Sequence, residues 1–206
     1  MGQLSCPGGR GTEVAFGSAR RGNQEFLFSD LRSVRQLSAD VQGILGEEFL
    51  GRFDYLLDLN QRLEFGDFEP EGIRVRFRRI SGRPSIFTSL GWLVLDSGAN
   101  HLVLFGGEPT VATGLLWTAT GPRGAGLSAP KSLTIGAQTV ARTDAVVVPR
   151  QNGIQEDGLL SGRFFRSIHI SNSKGYVTLD CSNCFEEKRE QGSKSVKQNS
   201  NSRKGA

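Results

Sequence analysis

Residues 92 to 105 read WLVLDSGANHLVLF and place one acidic residue, Asp96, between two apolar runs, Trp92 to Leu95 and Leu102 to Phe105. Aspartate is depleted in strands and rarely buried without a partner. A chain that holds a carboxylate at the end of a buried strand, turns on Ser97, Gly98 and Ala99, and returns at once to apolar sequence has a candidate proton donor or acceptor there. A second pattern, Cys181-Ser-Asn-Cys184, has the CxxC spacing of a zinc or redox site. Zinc would need a second pair of ligands, and only His101 and His169 are available. With Cys6 the cysteines number three, which gives no disulfide framework, and the plainer reading of 181–184 is two thiols beside a disordered tail. GPRGAG at 121–126 lacks the Gly-Lys-Ser/Thr ending of a phosphate loop.

The elements that must position these residues read as strands. EVAFG, EFLF, FDYLLDL, RLEF, IRVRF, WLVL, HLVLF, SLTIG, AVVVP, SIHI and YVTL are short and rich in β-branched or aromatic residues. IRVRFRR alternates as an edge or half-exposed strand should. Helical signals are few: a turn or two within DLRSVRQLSADVQ, and one short helix at GEEFLGRF, whose acidic first turn suits the helix dipole. His101 is expected on a strand beside the acidic turn in a structural role, and Trp92 and Trp117 in core and flap packing rather than ligand stacking. A length of 206 residues makes one domain or two small ones, and 27 glycines favour turns over long helices. No run of about 18 apolar residues is present, so no membrane span is expected, and the first residues lack an apolar signal core. Much of the net charge of +4 lies near the C-terminus, and 184–206 reads as a disordered basic tail rather than a nucleic-acid-binding face.

The chain repeats itself. VAFGSARRGNQEFLFSDL matches LTIGAQTVARTDAVVVP, with Gly17 against Gly136. QGILGEEFLGRFDYLL matches EDGLLSGRFFRSIHI, so that Gly43, Ile44, Leu45, Phe49 and Phe53 fall on Gly158, Leu159, Leu160, Phe164 and Ile168, and RLEF falls on YVTL. The second copy is preceded by the Asp96 segment. The first has only loop-like residues ahead of it.

Acidic turn and repeat together resemble the aspartic proteases of the retropepsin and pepsin type, nearest to bacterial two-repeat forms, over most of residues 13 to 180. In that family an apolar-apolar-Gly element lies beside the active-site loop and leads into a short helix, as GILGEEFLGRFDYLLD at 43–58 does. The resemblance implies an all-β fold of closed, barrel-like lobes. Residues 1–66 would be a partial first lobe without its active-site hairpin, and 67–183 a complete lobe. It also implies peptide hydrolysis by a water activated between two carboxylates that share one proton, with no cofactor and no metal. Asp96 would be the catalytic carboxylate. Ser97 would tie the loop to its partner loop, Gly98 would let backbone N–H groups reach the carboxylate, and Ala99 would complete the loop, with apolar walls from Leu95, Leu102 and Leu104.

Two features depart from the family. No second Asp-Ser/Thr-Gly is present, and the other acids near apolar runs are Asp30, Asp54, Asp58 and Asp157. Of these, Asp54 and Asp58 read as solvent-exposed and Asp157 as a turn residue. Ser161 stands in LLSG where the pattern calls for glycine, which puts the packing against Asp96 in question. The interval holding WTATGPRGAG is either the flap that closes over substrate or an ordinary exposed loop. The expected function is an aspartic-type endopeptidase acting on peptide or protein substrates, with a homodimer as one way to complete the dyad. The alternative is a non-catalytic binding or structural module.

Overall fold

The structure, a computed structural model, describes residues 8–28, 35, 40–58, 62–118 and 121–181. Strand makes up 56% and helix 5%, so the chain is nearly all-β. The strands are β1 (Gly8–Phe16), β2 (Ala19–Leu27), β3 (Tyr55–Asp58), β4 (Arg62–Phe65), β5 (Ile73–Ile80), β6 (Arg83–Thr88), β7 (Gly91–Asp96), β8 (Val103–Phe105), β9 (Val111–Thr118), β10 (Gly121–Leu127), β11 (Lys131–Ile135), β12 (Gln138–Thr143), β13 (Val146–Val148), β14 (Gly158–Ser161), β15 (Ser167–Ser171) and β16 (Tyr176–Asp180). One short helix, α1 (Glu47–Leu50), precedes β3, with Glu47 and Glu48 in its first turn. Its repeat counterpart is only a 3-10 turn at Gly162–Phe164.

Twelve strands form one sheet in the order β4-β3-β15-β16-β5-β6-β7-β14-β8-β13-β10-β9. The order ends on the outer strands of two hairpins, β3–β4 and β9–β10, which do not pair with each other. The closed barrel is therefore not found among the described residues. Strands from both repeats share this sheet, because β3 of the first pairs antiparallel with β15 of the second.

Local chemistry explains the turns. Ser81 and Gly82 both have positive φ between β5 and β6, as a two-residue type I′ hairpin requires. The hairpins β1–β2 and β11–β12 turn on glycines at the same position, Gly17 and Gly136, each with φ of 58°. β5 alternates in exposure as its sequence predicts, yet it is interior rather than an edge, paired with β16 and β6. Its outward arginines cover aromatic faces, with the Arg78 guanidinium 3.7 Å from the Trp92 ring centre and that of Arg74 4.5 Å from Tyr176. Trp92 is thus a half-buried platform under Arg78, not a core residue. Trp117's side chain, Asp30, most of DLRSVRQLSADVQ and residues 182–206 lie outside what is described.

The main core gathers Ile86, Leu93, Leu102, Leu133, Ile135, Val140 and Leu160 with Ile168, Ile170, Val177 and Leu179. The β11–β12 hairpin thereby packs against the strands that carry and flank Asp96. At about 25 cal/mol per Å² of apolar surface, this shared burial anchors Leu93 and Leu102, on either side of the Asp96 turn.

Candidate functional site

Asp96 ends β7, and β8 begins seven residues later, yet these two strands do not pair with each other. β14 lies between them, parallel to β7 and antiparallel to β8. The connection through Ser97 to Leu102 must therefore cross over the end of β14. Gly158 makes this threading possible: a Cβ there would collide with the Val103 carbonyl and stand 3.1 Å from Leu93 Cδ2.

The crossing sets the geometry of the turn. Asp96 Oδ1 accepts the Gly98 N–H at 2.9 Å, and the Ala99 N–H donates to the Asp96 carbonyl at 3.3 Å. In the parallel ladder Ser161 stands opposite Asp96. Its hydroxyl, fully buried, donates to the Ala99 carbonyl at 2.5 Å and accepts the Arg163 N–H at 3.2 Å. Ser161, which stands where the aspartic-protease resemblance calls for glycine, is the residue that clamps the turn from beneath. Ser97 is exposed. Leu102 is buried beneath the turn, while Leu95 and Leu104 are half-buried against the core.

The other candidates fall elsewhere. His101 is exposed in a bend ahead of β8 rather than on a strand. Asp157 does more than turn the chain: its Oδ2 accepts the Trp92 N–H and its Oδ1 accepts from Arg150, both at 2.8 Å, fixing the start of β7. Asp54 is half-buried rather than simply solvated. It accepts the Ser173 N–H at 2.8 Å, the Ser171 hydroxyl at 3.1 Å and the Ser173 hydroxyl, and so ties β3 to the β15–β16 turn. Burial raises its pKa, but these bonds together outweigh burial and hold the carboxyl below the usual aspartate value. Asp58 is half-buried and lines a cavity of about 610 Å³ with Arg166 and Asp180. No carboxylate among the described residues is hydrogen-bonded to Asp96.

His169, considered above as a metal ligand, is fully buried in β15, and neither ring nitrogen has a hydrogen-bond partner. Phe68 and Tyr176 meet it edge-on. Burial lowers its pKa, against the pull of Asp54 and Asp67, so the neutral ring is favoured. Cys181 is disulfide-bonded, which corrects the expectation of two free thiols at 181–184; Cys6 and Cys184 lie outside the described residues.

Neither a family model, nor a curated protein, nor a solved structure matches this chain.

Proposed function

We propose that residues 67–183 are a retropepsin-like lobe that supplies Asp96 to an aspartic-type peptidase, and that residues 1–66 are a partial first lobe. One observation carries the reading. A carboxylate sits in a turn that joins two strands split apart by a third, β14, and a backbone N–H and a buried hydroxyl hold that turn rigid. Such preorganisation is what a carboxylate needs if it is to take a proton from an attacking water without first reorganising. The reaction would add water to a peptide carbonyl. Asp96 or its partner takes the water proton, the other carboxyl protonates the amide nitrogen, and the C–N bond breaks. The β9–β10 hairpin, with Val111 and Leu115 exposed, would be the surface that grips the peptide.

A second reading is a module that binds peptide without cutting it. It is favoured by the absence, among the described residues, of any carboxylate bonded to Asp96. Incubating the full chain and Asp96→Asn with a denatured protein at mildly acid pH, and reading fragments by mass spectrometry, tests both. Cleavage by the parent that disappears in Asp96→Asn supports the peptidase. Equal cleavage by the two proteins rejects it. No cleavage but saturable peptide binding supports the second reading.

A further inference from the structure

The two repeats bury equivalent residues unequally. In the second repeat Leu160 is 0% exposed, sealed in β14 between β7 and β8. Its counterpart Leu45 is 38% exposed, and Ile44, the counterpart of half-buried Leu159, is 65% exposed. The hairpins behave alike: Ile135 is 0% exposed, while Phe16, at the matching place before the turn glycine, is 49% exposed. The glycines tell the same story. A Cβ on Gly158 would strike the carbonyl of β8, whereas one on Gly43 or Gly46 would meet nothing within 4 Å. Among the described residues no strand pairs with 43–46, although the segment has the residue types of β14 and leads, as β14 does, into a short helical turn and a strand of the central sheet.

We infer that Gly43–Gly46, together with the exposed Phe16, whose ring meets Phe65 edge-on, is a docking surface for a strand–turn–strand segment of the kind Gly91–Phe105, supplied by polypeptide outside these 206 residues. One of its strands runs parallel to 43–46 and the other antiparallel, as β7 and β8 flank β14. The N–H groups of 44–46 and the C=O groups of 44 and 45 supply the ladder, the Gly46 carbonyl being taken by the Phe49 and Leu50 N–H groups; Gly43 supplies the close approach, and Ile44, Leu45 and Phe16 are covered. An exposed ladder edge beside large apolar side chains is the surface that strand addition uses. The occupant is specified by the second repeat itself, in which Leu93 and Leu102 complete the core around Leu160, Leu133 and Ile135. The inference stands on the repeat and does not need the peptidase reading.

The test joins a second copy of residues 83–107 to the N-terminus of the full chain through a long Gly/Ser linker and measures amide hydrogen exchange by mass spectrometry. The peptide spanning Ile44–Gly46 is expected to gain roughly tenfold or more in protection, because its amides become part of a ladder. A fusion carrying the same residues in scrambled order should show no gain. Gly43→Ala should cancel the gain in the fusion and leave exchange in the parent unchanged. A folded fusion without added protection overturns the inference, and so does protection that survives in the scrambled fusion or in Gly43→Ala. Concentration-dependent protection of 44–46 in the unfused parent also overturns it, since a second copy of the chain would then cover the face. Because exchange is read rather than cleavage, a chain that cuts no peptide gives the same result.

Discussion

Tyr55 in β3 lies opposite Ile170 in β15, and it is paired there with its own counterpart in the repeat, 115 positions further along the chain. Antiparallel pairing of a residue with its own equivalent is what a local two-fold axis produces. The outer strands continue the relation, since β4 flanks β3 as β16 flanks β15. The edge of β15 is thus already taken, within one chain, by the strand that a two-fold partner would offer. A homodimer that brings two Asp96 turns together across this edge must displace β3. Any cleavage activity is therefore expected to be first order in protein, with specific activity constant on dilution through the sedimentation-defined monomer range. Specific activity that rises with concentration in step with dimer formation would assign the second carboxylate to another copy of the chain.

Ser161→Ala removes the hydroxyl that holds the Ala99 carbonyl and caps Arg163. A buried hydrogen bond of this kind contributes roughly 1 kcal/mol, and leaving its acceptor unsatisfied adds to the cost. The denaturation midpoint should fall accordingly, and exchange at Gly98 and Ala99 should speed up more than exchange in β15 or β16. Ser161→Gly, which supplies the residue that the aspartic-protease resemblance calls for, should loosen the turn at least as much, because no hydroxyl remains. An unchanged midpoint in both variants would remove Ser161 from the support of the site.

Asp54 links pH to the joint between the repeats. Its folded pKa is lowered, so its contribution to stability is present above the unfolded value of about 3.8 and is lost as pH falls through the lower folded value. Urea titrations from pH 5 downward should show the parent losing stability. Asp54→Asn should be less stable at pH 5 and flatter with pH, the two curves converging in acid. Parallel curves would show that the Ser171 and Ser173 bonds do not discriminate between the charged and neutral carboxyl.

Much of this architecture was legible from residue patterns. Alternation and β-branching located β3, β4, β5, β7, β11, β13, β15 and β16, and the acidic first turn located α1. β10 escaped because GPRGAGL carries neither alternation nor β-branched residues, and its pairing with β9 and β13 supplies what its own propensity does not. β14 reads as part of an apolar-Gly element because GLLS carries neither a β-branched nor an aromatic residue. The Ser161 clamp was hidden for a different reason: a serine in place of an expected glycine reads as a defect until the parallel register sets it opposite Asp96. Asp54 looked solvated because its partners, Ser171 and Ser173, lie far away in sequence. Sheet closure depends on how hairpin edges meet, which no local pattern specifies.

His169 gives a second pH response, in a window well above that of Asp54. Its folded pKa lies below the ordinary 6.5 because burial disfavours the imidazolium; Arg74 and Lys174 act in the same sense, and Asp54 and Asp67 oppose them. Below pH 6.5 the unfolded chain takes up a proton that the folded chain resists. The contribution of His169 is therefore fully present above 6.5 and declines as pH falls toward the lower folded value. His169→Leu removes two ring nitrogens that are buried without partners and keeps an apolar side chain against Phe68 and Tyr176. Stability of the parent should drop between about pH 7 and 5, and His169→Leu should show little slope there while matching or exceeding the parent at pH 5. The imidazole proton signals give an independent reading: the folded resonance should titrate below 6.5. A His169 that titrates above 6.5 in the folded chain would mean the ring is charged and paired, and the predicted slope would reverse.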